Sequence, residues 1–147
     1  MAVLIDTNVL VYRFDERFAA KQRIAEELVR QAMGDTSMCI AHQALIEFVA
    51  ATTNARRRGF FLLDPASAHR EVEELLAGAT ILFPDEPLLR TAMRGMATYQ
   101  LEWYDAHMWA FAERYGIEQL LSEDFEHGRR YGMVQVVNPF VLLNERT

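Results

Sequence analysis

Cysteine, lysine and long apolar runs are nearly absent from the sequence. Cys39 is the single cysteine, so no intrachain disulfide can form, and we expect a reducing compartment with Cys39 as a small buried side chain. No apolar stretch has the length of a membrane span, and the N-terminus lacks the basic region of a signal peptide. These absences predict a cytoplasmic protein with no membrane partner.

Basic charge is scarce as well. The chain has 15 Lys plus Arg against 21 Asp plus Glu, a formal net charge of -6, and Lys21 is its only lysine. This balance argues against a protein that holds nucleic acid by bulk electrostatic attraction, although carboxylates with a bound divalent cation would attract phosphate locally. A length of 147 residues with 51% hydrophobic side chains predicts one globular domain over residues 1–147.

The first ten residues carry the most informative pattern. An apolar run over residues 2–5 ends abruptly at Asp6, which is typical of a strand buried on both faces with an acid at its carboxyl end. Ligands bind at that end of the strands in open α/β sheets, so Asp6 is a candidate active residue. Asp, Thr and Asn are also favoured helix caps, and the motif alone leaves that alternative open.

The rest of the chain alternates predicted helices and strands. Periodicity, capping residues and glycine stops indicate helices at 7–14, 17–33, 41–57, 65–76, 88–99 and 104–115, the third of them ended by Gly59. Strands are expected at 38–40, 80–83, 119–121 and 133–137, with a short tail after Pro139. The sequence contains no internal repeat and no stretch with the composition of an interdomain linker.

Three further acids occupy apolar segments. Glu47 lies in a helical stretch, residues 44–51, that is otherwise apolar, which indicates burial unless Glu47 is at the solvent edge of the helix. Asp105 is in the first turn of a predicted buried helix, where an acid can also complement the helix dipole. Asp124 follows the strand at 119–121, just as Asp6 follows the first strand.

One shared carboxylate pocket explains these acids more economically than four separate caps and edge positions. Two carboxylates about 4 Å apart repel by roughly 4 kcal/mol at an effective dielectric near 20, so such a cluster stays ionised only with a cation. All-oxygen ligands suit Mg²⁺ or Mn²⁺. Zinc is not expected, because the histidines show neither an HExxH pattern nor paired-cysteine spacing. They are His42, His69, His107 and His127.

The order of these motifs resembles that of a known family. The matching stretches are I-D-T-N-V-L at the start, A-L-I-E-F around Glu47, W-Y-D-A around Asp105, and L-L-S-E-D-F-E-H-G followed by V-V-N-P-F. In motif order, spacing and chain length the sequence is similar to the PIN-domain ribonucleases, in particular the VapC-type toxins of bacterial toxin–antitoxin modules. The resemblance covers about residues 1–140.

The resemblance implies a fold, an activity and partners. The fold is an α/β three-layer α/β/α sandwich with a mainly parallel central sheet, and its acidic pocket binds Mg²⁺ or Mn²⁺ and cleaves RNA by metal-activated water. A cognate antitoxin and a homodimer are the implied protein partners. Glu126 is a candidate for a further acid, which leaves one-ion and two-ion sites open. The residues that match the family's acidic positions are Asp6, Glu47, Asp105 and Asp124, and those that match its supporting polar positions are Asn8 and Ser122.

Two arginine clusters are candidate RNA contacts. Arg129 and Arg130 closely follow the last acid in sequence and are predicted to hold phosphates, with a purely structural role as the alternative. The triplet at 56–58 could also contact phosphate, but three cations at a predicted helix C-terminus are explained first by the helix dipole. Trp103 and Trp109 are expected in the core or at a dimer interface rather than as base-stacking platforms.

Two other functions fit parts of the pattern. A haloacid-dehalogenase-type phosphatase also begins with a strand ending in a catalytic aspartate, but its D-x-D motif has an acid where this chain has Asn8, which cannot transfer a proton. A non-catalytic PIN-like module that only binds RNA or protein is disfavoured because all four acids are present. A metal-dependent endoribonuclease of the toxin–antitoxin type is therefore the primary hypothesis.

Overall fold

Short apolar segments form a six-stranded sheet at the centre of the protein. The computed structural model describes residues 1–141, and the tail predicted after Pro139 extends beyond them. The strands run in the order β3-β2-β1-β4-β6-β5, and every pairing is parallel except that of β5 with β6. They are β1 (Val3–Ile5), β2 (Met38–Ala41), β3 (Thr80–Leu82), β4 (Gln119–Leu121), β5 (Arg130–Tyr131) and β6 (Val134–Val137).

Helices cover both faces of this sheet. They are α1 (Thr7–Tyr12), α2 (Ala19–Ala32), α3 (His42–Thr53), α4 (Pro65–Gly78), α5 (Glu86–Tyr99) and α6 (Trp103–Arg114). Helix α1 packs against α2 and α3, whereas α5 packs against α6, which lies on β4 and β6. None of the described helices is long and apolar enough to cross a membrane. The predicted α/β/α sandwich with a mainly parallel sheet is confirmed.

The strand order reverses between β1 and β4. The chain moves outward from β1 through β2 to β3, and then returns through α5 and α6 to place β4 on the other side of β1. Ile5 of β1 is paired with Leu121 of β4, so the residues that follow these two strands emerge side by side. In open α/β sheets such a switch point is the crevice in which ligands bind.

A single apolar core supports the sheet on both faces. Ile5 and Ile40 from the central strands are fully buried, together with Phe48 of α3 and Phe111 of α6 from the helical layers. Burial on both faces explains why the strands are apolar at consecutive positions instead of alternating. Cys39 is buried in the same core, as the sequence indicated.

The third helix ends earlier than its periodicity predicts. The sequence predicts residues 41–57 with Gly59 as the stop, but α3 ends at Thr53. Asn54 has an extended backbone, and its side-chain oxygen accepts a hydrogen bond from the backbone N–H of Arg56 at 2.8 Å. This local turn competes with continuation of the helix. The prediction that Gly59 terminates the helix is therefore wrong.

A short hairpin was missing from the sequence prediction. The two-residue strand β5 precedes β6, and Gly132 connects them with a φ of 64°, a left-handed conformation that favours glycine. A strand of two residues has too little alternation for periodicity to reveal it. The remaining helix and strand boundaries agree with the prediction within about two residues.

The packing of α5 on α6 depends on the absence of a side chain at Gly95. A Cβ at this position would lie 2.7 Å from two ring atoms of Trp109. Trp109 is buried, as the sequence predicts, and its indole N–H donates to the carbonyl of Tyr131 at 2.8 Å. The ring therefore cannot move away without losing a buried hydrogen bond.

Gly95→Ala should lower the free energy of unfolding by about 1–3 kcal/mol, because overpacking outweighs the higher helix propensity of alanine. Urea unfolding measures the change. Gly78→Ala is the matched control, since a Cβ there would meet only the flexible end of Met33. An equal loss of stability in both variants would contradict the packing explanation.

Candidate active site

Asp6 combines a helix cap with a buried charge. It follows β1, is 4% exposed, and accepts a hydrogen bond from the N–H of Thr7 at 2.7 Å at the start of α1. The cap contact therefore exists. The pKa of Asp6 is raised to about 7. Burial is the largest cause of this shift, and the charges of Asp124 and Glu47 act in the same direction. Capping alone does not require this burial, because a carboxylate at the surface can accept the same hydrogen bond.

The hydroxyl of Ser122 joins three of the predicted site residues. It donates to Asp6 Oδ2 at 2.6 Å, and it accepts from Asn8 Nδ2 at 3.1 Å and from the backbone N–H of Asp124 at 3.0 Å. Asn8 Nδ2 also lies 3.1 Å from Asp124 Oδ2. Because Ser122 is fully buried, these contacts replace its contacts with water. The structure thus brings the four residues together at the switch point between β1 and β4.

The loop that carries Asp124 is anchored through the preceding residue. Glu123 accepts hydrogen bonds from the hydroxyl of Tyr12 at 2.5 Å and from Nζ of Lys21 at 2.9 Å. The ammonium group of Lys21 also lies 4.8 Å from the centre of the Tyr12 ring. Sequence analysis missed this anchor, because Lys21 and Glu123 are 102 positions apart and share no motif.

Glu47 lies half-buried on α3 and is held by two side chains. The hydroxyl of Thr7 donates to its Oε2 at 3.1 Å, and Gln43 Nε2 donates to its Oε1 at 2.5 Å and to the carbonyl of Tyr104 at 3.0 Å. The neighbouring Ile46 is exposed, so Glu47 occupies the border between the core and solvent. Thr7 and Gln43 were missed as supports. The i, i+4 spacing of Gln43 and Glu47 is the signal that could have revealed the second one.

Asp105 lies half-buried in the first turn of α6 but does not cap it. The cap is Glu102, whose carboxylate accepts from the N–H groups of Tyr104 and Asp105 at 3.0 and 3.3 Å. Burial is the largest cause that raises the pKa of Asp105 to about 6, followed by the charge of Asp124 and of other nearby acids. The helix dipole favours a charged carboxylate at this position, so burial and repulsion outweigh it.

The four predicted acids lie close enough for some of them to shift the pKa values of others, but they do not surround a single position for a metal ion. Asp124 and Glu47 each raise the pKa of both Asp6 and Asp105. Within residues 1–141, no three Asp, Glu, His or Cys side chains converge closely enough to enclose a metal ion. The fit to a hard divalent ion such as Mg²⁺ therefore rests on the carboxylate chemistry of these residues and not on a closed coordination geometry.

The available donor atoms also fit such an ion. The amide oxygen of Asn8 is buried and has no hydrogen-bond partner in the described part of the chain, which leaves an acceptor for a coordinated water. The histidines nearest in sequence to the acids have other contacts. The ring of His107 packs edge-on against Trp103 at 4.8 Å, and Nδ1 of His127 accepts from the N–H of Asn138 at 3.0 Å. The set around Asp6 is therefore composed of oxygen donors.

The predicted RNA contacts at Arg129 and Arg130 lie on the surface. Arg129 pairs with Glu126 at 3.3 Å, and its guanidinium is 4.5 Å from the centre of the Tyr131 ring. These contacts support the structural alternative for Arg129, and they engage Glu126, the candidate for a further acid. Arg130 is exposed in β5, and its contact with phosphate stays a prediction.

A comparison with family models identifies the fold from sequence. The model of the PIN domain matches residues 3–132. The chain belongs to the PIN-domain family. A search of curated proteins finds no match. The match begins within β1 and ends just after β5, so it includes every predicted site residue.

Solved structures with the PIN fold include toxins and toxin–antitoxin complexes. VapC20 from Mycobacterium tuberculosis, a sarcin–ricin loop cleaving toxin, is 15% identical with a TM-score of 0.64, over 91% of this chain and 99% of that one. DNA-bound VapBC from Salmonella typhimurium is 16% identical with a TM-score of 0.65, and the match covers 92% of this chain and 96% of that one. A chain of a toxin–antitoxin complex from Klebsiella pneumoniae is 18% identical with a TM-score of 0.60, and the match covers 94% of this chain and 98% of that one. The predicted resemblance is confirmed, and at these identities it shows the fold.

The raised pKa of Asp6 predicts that the stability of the metal-free PIN domain depends on pH. The folded pKa of about 7 lies above the ordinary value of 3.8, so the folded state keeps a proton that the unfolded chain releases. This contribution is fully present below a pH of 3.8 and is lost as the pH rises through about 7. Asp105 acts in the same direction.

Urea unfolding in EDTA should therefore show a stability that falls between a pH of about 4 and about 7, by a few kcal/mol at most, and that levels off above this range. Asp6→Asn keeps the capping ability and removes the titration, so it should flatten the fall. Asp64→Asn is the control, because Asp64 caps α4 and its hydrogen bonds with Ser67 lower its pKa. Equal flattening in both variants would show that Asp6 is not the source.

Proposed function

We propose that this PIN-domain protein is a cytoplasmic, metal-dependent endoribonuclease and the toxin of a type II toxin–antitoxin module. The observation that carries the proposal is the burial of Asp6 at the switch point, beside Ser122 and within electrostatic range of Asp124 and Glu47. Burying a charge is unfavourable unless it is paired, and the equally buried cap Asp15 is paired with Arg17, whereas Asp6 has no basic partner among the described residues. Membership of the PIN family supports a nuclease over other uses of an acidic crevice.

The proposed ligands of Mg²⁺ or Mn²⁺ are Asp6, Glu47, Asp105 and Asp124, with Asn8 and Ser122 as supports. When bound, the ion supplies a coordinated water of lowered pKa and offsets charge on the phosphoryl oxygens. Ser122 orients the carboxylate of Asp6, and Asn8 orients that of Asp124. These hydrogen bonds already hold the two carboxylates in place, so the acids lose less conformational freedom when the ion binds. Hydrolysis by water needs no nucleophilic side chain.

RNA is the proposed substrate, and the phosphatase alternative is disfavoured. Asn8 occupies the position at which a D-x-D phosphatase has its second acid, and here its amide contacts Ser122 and Asp124. It therefore acts as a bridge within the site and not as a proton donor to a leaving group. VapC20, which shares the fold, is described as a sarcin–ricin loop cleaving toxin, and this supports RNA as the class of substrate.

We further propose that residues 1–147 form one nuclease domain that dimerises and is inhibited by a cognate antitoxin. The toxin–antitoxin complexes among the solved structures support an antitoxin partner. In this chain, Ile46 borders an apolar pocket of about 340 Å³ together with Trp103 and Phe111, and Ile46 is 59% exposed. An exposed apolar surface beside the acids is suitable for a partner that blocks the site.

Purified protein should cleave structured RNA in Mg²⁺ or Mn²⁺ and stop when EDTA removes the metal. Asp6→Asn and Asp105→Asn should each lower cleavage by about 10-fold to 100-fold or more, because each removes a proposed ligand charge and keeps the side-chain shape. Their metal-free stability should hold or rise, since one repelling charge is gone. Added Mg²⁺ should raise their Tm less than that of the parent.

Asp64→Asn is again the control, because it changes a capping aspartate outside the proposed site. It should keep both the cleavage and the Mg²⁺ response of the parent. Cleavage undiminished in EDTA, once contaminating nuclease is excluded, would remove the metal mechanism. Full cleavage and a parental Mg²⁺ response in both site variants would return Asp6 and Asp105 to structural roles.

The partner proposal is tested by coexpression with the small protein encoded by a neighbouring reading frame. We expect the two proteins to copurify and RNA cleavage to be suppressed in the complex. Ile46→Glu should weaken the complex, because it places a charge on the exposed apolar surface. Sedimentation of the toxin alone as a monomer would contradict the homodimer, and unsuppressed cleavage in a stable complex would contradict inhibition.

A further inference from the structure

A groove of about 540 Å³ lies beside the acidic site and has no role in the function proposed so far. Three of its lining residues lie on one face of α3 with the spacing i, i+3 and i+4, and a fourth follows the last residue of the helix, so together they form one stripe. The stripe consists of Glu47, Ala50, Ala51 and Asn54. Glu47 belongs to the acidic site as well, so the groove opens directly from that site, and the two small alanines leave room within it.

Basic side chains border the far end of this groove. Among the described residues, neither Arg57 nor Arg58 forms an ion pair with a carboxylate. The triplet at 56–58 is also the longest run of cations in a chain of net charge -6. The basic residues that do pair with Asp or Glu are Arg13, Arg17, Lys21, Arg30, Arg90, Arg114 and Arg129.

The three arginines have different roles in the turn after α3. Arg58 Nη2 donates to the carbonyls of Ala51 and Asn54 at 2.6 and 2.9 Å, which agrees with the interpretation of the triplet as charge at a helix C-terminus. Arg57 is exposed and lines the groove, whereas Arg56 is exposed and does not line it. Arg58 therefore positions the turn, and Arg57 is the cation that can meet a ligand.

Tyr104 supplies an aromatic face to the same groove. Its side chain is 62% exposed, and its backbone is held on both sides, by Gln43 at the carbonyl and by Glu102 at the N–H. Gln43 also holds Glu47, so the ring and the acid are positioned by one side chain. An exposed aromatic ring on a fixed backbone is suited to stacking with an unpaired base.

We propose that this groove binds the single-stranded RNA segment next to the cleaved phosphodiester, with Arg57 on a phosphate and Tyr104 stacked on a base. The inference rests on the proposed ribonuclease function and adds the path along which the strand leaves the acids. A cation and an exposed ring that line the same groove, with little apolar side-chain bulk between them and the helix, suit a nucleotide better than an acidic peptide, which would leave the ring without a partner.

Binding is measured by fluorescence anisotropy with a labelled single-stranded RNA of about 12 nucleotides. All variants are made in the Asp105→Asn background with Mg²⁺ present, so that the RNA is not consumed. Arg57→Ala should weaken binding about fivefold and reduce the slope of log K against log salt by about 0.7, as expected for one phosphate contact on a single strand. Tyr104→Ala should weaken binding roughly tenfold at an unchanged slope.

Arg56→Ala is the matched control, because it removes the same charge from the same turn outside the groove. It should leave the affinity within about twofold of the background and the salt slope unchanged. Arg58 is not substituted, since it caps α3. The three substituted residues are exposed to solvent, so the changes should not disturb the core. An unchanged Tm confirms that each variant folds.

Equal affinities and salt slopes for Arg57→Ala and Arg56→Ala would overturn the proposal, even if the parent cleaves RNA with Mg²⁺. An Arg57→Ala variant that loses affinity for a poly-glutamate peptide but not for RNA would also overturn it, because the occupant would then be a protein. If the parent does not cleave RNA but the groove variants lose RNA binding, the proposed ribonuclease activity is rejected and the groove is retained as an RNA-binding site.

Discussion

The buried carboxylate of Asp6 is the constraint on which the arrangement of the site depends. A charge in this position is stable only with hydrogen-bond donors around it, and the fold provides the N–H of Thr7 and the hydroxyl of Ser122. Ser122 has a single proton to donate, so its remaining contacts are the acceptor contacts with Asn8 and with the backbone of Asp124. One hydroxyl therefore links the loop after β4 to the end of β1, in addition to the anchor that Glu123 forms with Tyr12 and Lys21.

The reversal of strand order makes this contact possible. Asp6 and Ser122 are 116 positions apart, yet β1 and β4 pair in parallel and end together. The two helical layers then add one acid each, Glu47 from α3 and Asp105 from α6. Gln43 joins the layers across the crevice, because its amide contacts both Glu47 and the backbone of Tyr104 at the start of α6.

The distribution of charge is consistent with recognition at one place instead of over a broad surface. Half of the lysine and arginine side chains in the described part of the chain are paired with acids, and the chain as a whole is negative. Non-specific attraction to nucleic acid is weak under these conditions. Attraction would come from a divalent ion among the carboxylates and from Arg57 in the adjoining groove, so a phosphate chain would be held mainly where it is proposed to be cut.

Local chemistry made most helices and strands and the four candidate acids predictable from sequence, and the resemblance to the PIN domain predicted how the elements pack. Consecutive apolar residues identified strands buried on both faces, Asp64 and Pro65 marked the start of α4, and Asp6, Glu47, Asp105 and Asp124 stood out because each interrupts or ends an apolar segment. Apolar patterning is read within a few residues of each position. It therefore specifies helices, strands and misplaced charges without any knowledge of distant neighbours.

Only the tertiary structure revealed the supports of those acids beyond Asn8 and Ser122, and the groove in which a ligand would lie. The early end of α3 at Asn54, the anchor between Lys21 and Glu123, and the groove between Arg57 and Tyr104 all depend on contacts or turns that periodicity does not describe. The physical reason is that hydrogen bonds and burial act between atoms close in space. In a sheet whose strand order reverses, such atoms belong to residues far apart in the chain.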